Sequence, residues 1–500
     1  MDRLTYINKT VRGHLHKVRD IPCEDYSGSY GDVDGRYCIV AIADGHGDKA
    51  CFRSSIGSKS AVEIAIGQLK DLAEVALNED LEKTSFPLLE QLRYPKGVQM
   101  ILKGLTDRII SKWYEFVNED LIKNPPTDEE YESIGDRADS YRSGEHLEHI
   151  YGTTLIAALW LPRFLILIQQ GDGRCDVFYA DGSINQPIPW DSRCHENVTT
   201  SLCDIDVDTN IRHCVIDLNQ KKVVACFLGS DGVEDSFPDP DENQAGTHYF
   251  YKKLAIAING MDKSSAEAYL DDLLPEFSEC GSGDDVSVAG LIDNDAIKAL
   301  LPDYAEAVRT FETSEQIRSL EAKIISKQRK HGVLQRKYTE SKVDVEQRNQ
   351  SVQICQGRIT RLTQELEDLR NQQTIAFSEM QEESEEAGKA RDYLDEQEQS
   401  DSFRSLLRYA AEGFGIFRTK IEDAYQSKTK AYETLSSKVS AKASELETEE
   451  HELSQLKAAL EDAQSRLQQA QEAFEQYDAE YQRLCAEKQN LLASSGDEQV

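Results

Sequence analysis

The sequence predicts two fold classes in one chain. Residues 1–300 read as an α+β domain, a β-sandwich flanked by helices, and residues 301–500 as an all-α, long antiparallel coiled-coil hairpin. Three observations carry this reading. All twelve prolines and all three tryptophans lie at or before Pro302. Only six of the 29 glycines follow residue 310, and 190 residues without proline is what long uninterrupted helices require. The first 300 residues mix short apolar runs with helix-period runs, whereas heptads begin near residue 312.

Taken in order, residues 37–43 (YCIVAIA) form a continuous apolar run ending in Asp44-Gly45-His46-Gly47, a buried strand stopped by a turn. Residues 54–82 place Ile56, Val62, Ile66, Leu69, Leu72 and Val75 at helical spacing, and 98–122 repeat that period. The polar, acidic stretch 123–150 reads as an exposed loop. Residues 154–161 and 164–170, joined by Pro162-Arg163, read as two strands around a tight turn. Further strands are expected at 175–179, 211–217, 223–229 and 286–291, with helices at about 247–260 and 264–277 between the last two. Strict strand–helix alternation is missing, as are G-x-G-x-x-G and P-loop sequences, so nucleotide-binding α/β folds have no support.

In the second part, Leu320, Ile324, Leu334, Val352, Ile359, Leu362, Leu366 and Leu369 keep a 3-then-4 spacing, interrupted by Lys327, His331, Arg348 and Gln373. A second seam runs through Leu453, Leu456, Leu460, Leu467, Phe474, Tyr481 and Leu491. The two arms, about 312–395 and about 419–493, are nearly equal, which favours one chain folding back as a hairpin. A parallel dimer satisfies the same heptads, so both a monomer and a coiled-coil dimer stay open. Between the arms, residues 396–418 gather Phe403, Leu406, Leu407, Tyr409, Phe414 and Phe417 into an apolar tip. That tip reads either as a docking site for a protein partner or as a self-packed cap.

Charge excludes some partners. Lys and Arg number 56 against 91 Asp and Glu, a net charge of −35, which disfavours nucleic acid and anionic membrane surfaces. Eleven cysteines without a C-x-x-C pair indicate free thiols instead of disulfides or a zinc ribbon. The apolar run 155–168 is broken by Pro162-Arg163 and too short to span a bilayer, and the N-terminus lacks the apolar core of a signal peptide. A soluble, cytoplasmic protein is expected.

The chemistry concentrates where apolar strands stop. Cys23-Glu24-Asp25, Asp44-Gly45, Gly171-Asp172-Gly173-Arg174, Ser230-Asp231-Gly232 with Asp235, and Gly283-Asp284-Asp285 each abut a strand. One Asp-Gly is merely a turn. Five, converging at one end of a sheet, would repel one another unless divalent cations neutralised them. Oxygen donors without Cys or His clusters point to Mg²⁺ or Mn²⁺ over zinc.

Together with Gly152-Thr153-Thr154 and the continuation Val286-Ser287, these segments resemble, in order and spacing, the motifs of the metal-dependent serine/threonine protein phosphatases of the PPM (type 2C) class. The resemblance covers roughly residues 10–293 and leaves the coiled coil outside it. Arg12-Gly13-His14-Leu15-His16 with Pro22-Cys23-Glu24-Asp25 looks most like the divergent bacterial-type branch. It implies a PPM-like sandwich, a phosphorylated protein as substrate, and Mn²⁺ or Mg²⁺ as cofactor, two ions with a third in some members. Asp44 would then bridge two metals, with Glu24 and the Gly45 carbonyl on one, Asp231 and Asp284 on the other, and Asp25 orienting bound water. Asp172 and Asp235 match the positions of the third, weaker metal. A metal-bridged hydroxide would attack phosphorus directly, and His46 would protonate the leaving oxygen as general acid.

His14 and His16 read as structural, donating to backbone near the entry strand. Gly152-Thr153-Thr154 reads as close strand packing, and Asp285 as the lesser of its pair. One departure stands out. Many members carry a phosphate-gripping arginine five residues before the Asp of the Glu-Asp pair; here that residue is Asp20, and Arg19 takes the role if the register shifts by one. Two functions follow: an active phosphatase positioned on a partner by its arm, or a catalytically weak phosphatase-fold adaptor that recognises phosphorylated partners.

Overall fold

The structure, a computed structural model, describes residues 4–79, 86–195, 198–237, 243–381 and 428–496. It divides into two compact units, Met1–Glu312 and Thr313–Val500.

The first unit contains, among the described residues, strands β1 (Leu4–Val11), β2 (Tyr26–Gly31), β3 (Cys38–Ala43), β4 (Leu155–Trp160), β5 (Phe164–Gln170), β6 (Arg174–Tyr179), β7 (Ile184–Asn185), β8 (Arg212–Asp217), β9 (Val223–Gly229) and β10 (Val286–Asp293). They form two five-stranded sheets, ordered β1-β10-β9-β6-β7 and β2-β3-β4-β5-β8, with antiparallel pairing throughout. The principal helices are α1 (His14–Arg19), α2 (Ser54–Asn78), α3 (Pro95–Lys123), α4 (Asn243–Ile258) and α5 (Lys263–Cys280).

Strands β3, β4, β5, β9 and β10 are buried along their whole length. The reason is that both faces of each sheet are covered. Between the sheets lie Val40, Ile42, Ala158, Leu167, Val177, Leu228 and Leu291. Outside one sheet, Val62, Leu69, Leu105, Ile109 and Trp113 pack on Ile39, Leu159 and Ile166. Outside the other, Phe250, Leu254, Leu270 and Leu274 pack on Phe227, Val288 and Ile292. Continuous apolar runs, instead of alternation, are the sequence signature of strands covered on both faces. Leu105 and Phe227, both fully buried, stabilise the fold by about 1.5–3 kcal/mol each.

The register gathers the carboxylate turns. Tyr26 faces Ala43, Leu155 faces Gln170, Gly229 faces both Arg174 and Val288, and Val11 faces Val286. The segments just beyond these pairs carry Glu24-Asp25, Asp44, Asp172, Asp231 and Asp284-Asp285, so all emerge at one end of the sandwich.

The stretch 123–150 departs from the loop expectation. It holds helices Asp128–Ser133 and Ala138–Arg142 and a 3₁₀ turn, Leu147–Tyr151. Thr127 and Glu130 cap the first of these reciprocally, and Ile134, Ala138, Tyr141 and Ile150 join the core. Arg53 anchors the segment, donating to Glu130 at 3.2 and 3.1 Å, to the Asn124 carbonyl at 2.6 Å and to the Tyr151 hydroxyl at 2.9 Å. A few apolar residues and one cap suffice, which is why the polar average concealed it. Strands β1, β2 and β7 were also absent from the sequence reading.

The second unit is an antiparallel pair formed by α6 (Leu301–Gln381), which enters it at Thr313, and α7 (Lys428–Gly496). Its cross-helix pairs include Glu321–Lys488, Lys327–Glu480, His331–Asp478, Asp344–Arg466, Arg358–Glu449 and Glu365–Lys442. One number rises as the other falls, as a hairpin of one chain requires. Leu366 and Leu369 meet Leu435 and Val439 in the seam. Two of the polar interruptions have partners on the other helix: Lys327 pairs with Glu480, and His331 stacks on Tyr481 at 4.7 Å and lies 2.7 Å from Asp478. The apolar tip at 396–418 lies outside the described residues. Among the described residues no helix is long and apolar enough to cross a membrane.

Candidate active site

Each turn at the sandwich end is held by backbone and hydroxyl contacts. The Asp44 amide donates to Thr154 Oγ1 at 2.9 Å, and its carbonyl accepts from Thr153 Oγ1 at 2.9 Å and the Thr154 amide at 2.8 Å. Thr153 and Thr154 therefore fix the segment that presents Asp44, beyond strand packing. A Cβ on Gly45 would lie 2.5 Å from the Glu24 carbonyl oxygen and 2.9 Å from Ser54 Cβ, so only glycine lets these turns touch. Gly152 likewise makes room for His46, whose Cδ2 would lie 2.6 Å from an added Cβ. Ser54 Oγ donates to Glu24 at 2.9 Å.

Asp285 proves to be a clamp. Its carboxylate accepts the Gly13 amide at 2.6 Å and the Glu24 amide at 2.7 Å, tying the exit of β1 and the Glu24 turn to the start of β10. His16 contacts carboxylates where backbone was expected, with Nε2 3.2 Å from Asp284 and Nδ1 3.0 Å from Asp285.

Glu24, Asp25, Asp44, Gly45, Asp172, Asp231, Asp235 and Asp284, with His46 and Arg19, line one cavity of about 880 Å³. All ten residues singled out from the sequence meet there. Burial pushes the Asp25 and Asp44 carboxyls well above the usual range, Asp25 further by the charges of Asp285 and Asp231, Asp44 by those of Asp25 and Asp231. Burial, then the charge of Asp172, raises Asp231 to about 7. Glu24 rises to about 6 by burial, against the Ser54 hydroxyl. Burial also raises Asp172 and Asp235.

The donor set fits hard divalent cations. Among the described residues, Asp25, Asp44, Asp172, Asp231 and Asp235 have no ion pair, although they crowd one another. Asp25 Oδ2 is buried without a hydrogen-bond partner. An oxygen-only cluster with an orphaned carboxylate oxygen is what a Mg²⁺ or Mn²⁺ site offers.

The cationic and imidazole groups differ in freedom. Arg174 is committed, paired with Glu234 and stacked on Trp190 at 3.9 Å. Arg12 is also committed, to the carbonyls of Ile21 and His16 and to Asp20. Asp20 ends α1 in the left-handed conformation at φ 56° and faces Arg12, away from a phosphate-gripping role. That turn leaves Arg19, exposed and without an ion pair among the described residues, lining the cavity. Burial, with His149 adding to it, lowers His46 to about 4, so its ring is neutral near pH 7.

Sequence reasoning missed several lining residues. Arg137, Tyr141 and His149 come from the stretch read as a loop, and Thr199, Ser201 and Asp204 from the segment before β8. The Thr127-to-Glu130 capping pattern was the one available signal for the first group. The second group carries no motif.

The profile of the family described as Protein phosphatase 2C matches residues 12–275. No curated protein matches the chain. Among solved structures, the serine/threonine phosphatase Stp1 from Staphylococcus aureus shares 15% identity, covers 58% of this chain and 94% of its own, and has a TM-score of 0.33. The serine/threonine phosphatase PstP/Ppp of Mycobacterium tuberculosis shares 17% identity over 58% and 98%, with a TM-score of 0.33. The catalytic domain of PstP in complex with two manganese ions shares 16% over 58% and 97%, with a TM-score of 0.32.

Proposed function

The chain belongs to the protein phosphatase 2C family, and on that premise we propose that its first unit is an active, metal-dependent phosphoprotein phosphatase acting on phosphoserine and phosphothreonine. One observation supports this most: the buried carboxylates of Asp25, Asp44 and Asp231 crowd one another with no ion pair to Lys or Arg among the described residues. Asp44 would stand between two Mn²⁺ or Mg²⁺ ions, with Glu24 and the Gly45 carbonyl on one side, Asp231 and Asp284 on the other, and Asp172 and Asp235 reaching a third. Bound there, the ions would supply Lewis acidity, lowering the pKa of water and offsetting charge on the phosphoryl oxygens.

The rest falls to the chain itself. Asp25, buried and bonded by Ser230 and Ser287, orients water through its remaining oxygen. Arg19 grips the substrate phosphate from the rim. His46 delivers a proton to the leaving seryl or threonyl oxygen. Burial holds that ring neutral in the free protein, so the dianionic phosphate is the charge that draws the proton onto it. The arm positions the phosphatase on its partner.

The test is hydrolysis of a phosphothreonine peptide with added Mn²⁺. Turnover that survives EDTA, or persists in Asp44→Asn, sinks the mechanism. Asp20 at the family's arginine position favours a second reading, a phosphoprotein adaptor. Tight phosphopeptide binding without turnover at saturating Mn²⁺ distinguishes it.

A further inference from the structure

Beside the cavity, the 3₁₀ turn Leu147–Tyr151 and the residue before it bring together His146, Glu148 and His149, a group the phosphatase chemistry does not use. The backbone explains the convergence. In a 3₁₀ turn, side chains at i and i+3 eclipse, and the His146 and His149 ring centroids lie 5.5 Å apart. The turn is fixed by bonds from the His149 amide to the His146 carbonyl at 3.1 Å and from the Gly152 amide to the His149 carbonyl at 3.0 Å. His146 adopts the left-handed conformation at φ 52°, which a non-glycine residue takes up only at a steric cost.

His146 Nδ1 stands 3.5 Å from Glu148, and one potential donor atom from each of the three residues lies within 4.8 Å of the others. His149 Nε2 is buried with no hydrogen-bond partner. A buried imidazole nitrogen without a partner loses its hydration for nothing unless a ligand takes its place. Glu148 has no Lys or Arg partner among the described residues. Two imidazoles with one carboxylate match the donors of a Zn²⁺ site that keeps its fourth position open.

We propose that His146, Glu148 and His149 form a zinc-class metal site, separate in residues and in donor chemistry from the oxygen-only carboxylate cluster. His149 lines the cavity, which places the open position on the cavity side. Bonds of about 2.0–2.1 Å need the donors closer together than they stand. His146, with 53% of its side chain exposed, closes that gap by rotation. The turn is also tied to the phosphatase residues, because the Gly152 carbonyl accepts the His46 amide at 3.1 Å.

The experiment uses the full chain carrying Asp44→Asn and Asp231→Asn, stripped with EDTA, desalted and titrated with Co²⁺ as a coloured stand-in for Zn²⁺. The expected result is one equivalent of the intense visible absorption of tetrahedral cobalt, displaced by Zn²⁺ and not by Mg²⁺. Adding His146→Ala and His149→Ala should weaken that band at least tenfold. Glu148→Gln should weaken it with both rings retained. Should the double histidine variant fail a circular-dichroism check of folding, His146→Ala alone, at an exposed ring, serves as the comparison. No band in the parent, or equal affinity after loss of the histidines, overturns the proposal. Because the readout is absorption with the carboxylate cluster disabled, it stands or falls independently of phosphatase turnover.

Discussion

The acids of the sandwich cavity and the acids of the arm are the same groups in opposite circumstances. In the arm, the carboxylate of Glu449, fully buried, meets Arg358 at 3.2 Å, and Asp478, Glu480 and Glu365 each meet a basic side chain of the other helix. In the cavity, Asp25, Asp44 and Asp231 face one another and no Lys or Arg joins them among the described residues. The arm uses charge to specify its own register, with acids of one helix meeting bases of the other. The cavity keeps charge in excess, which destabilises the free protein and suits a site completed from outside.

The comparison breaks most sharply at Asp44. Asp44→Asn should lower Mn²⁺-dependent turnover by roughly a thousandfold or more, the scale of losing a main electrostatic element of catalysis. In EDTA the same variant should melt higher than the parent, by roughly 2 °C or more, because one repelling carboxylate is gone. Lower melting in EDTA would show that the cavity charge is already compensated.

In the arm the same manoeuvre should have the opposite sign. Arg358→Met leaves Glu449 buried and unpaired, an expected loss of about 3–5 kcal/mol in denaturant unfolding of the arm. Replacing both partners with Met should recover most of it.

Protons should act on the cavity, and also on the arm, where burial raises Glu449 and Glu452 and, with the charge of Glu447, raises Glu450 to about 7. Asp231 and Glu24 are raised to about 7 and about 6. As pH falls, the native state therefore takes up protons before the unfolded chain does. Stability of the EDTA-stripped protein should rise from about pH 8 toward about pH 5 and fall again as pH climbs through those values. Saturating Mn²⁺ should remove the cavity's share of that slope and leave the arm's, and thermal melts across pH decide it.

Two smaller effects complete the series. Arg19→Ala should raise KM for a phosphopeptide about tenfold, the loss of one charge-assisted contact, with kcat changed less. Arg466→Ala removes an exposed arm ion pair with Asp344 and should cost no more than about 0.5 kcal/mol.

The strand-end carboxylates were legible because a carboxylate next to a fully apolar run is costly unless it has a purpose, and five such places stood in order. The heptads were legible because period is a local property. Other features were opaque for equally physical reasons. Residues 123–150 have an acidic average that hides the four apolar residues they bury. Asp285 ranked below Asp284, yet it fastens two distant amides, a role set by which turns meet. Arg19 lines the cavity while Asp20 ends α1 in the left-handed conformation and meets Arg12, and no spacing rule reports a φ angle.

By itself, then, the sequence determined the two classes of structure, the end of the sandwich that carries the chemistry, and the identity of the ten residues that meet there. The two classes follow from hydrophobic period, which acts over a few neighbours, and the strand-end carboxylates from residue type; Arg19, Gly45 and His46 joined them through the resemblance to the phosphatase motifs. Only the tertiary structure decided which acids lack an ion pair among the described residues, that Arg19 lines the cavity, and that His146, Glu148 and His149 come together. Charge balance, and the orphaned atoms that follow from it, depends on groups brought together from distant parts of the chain.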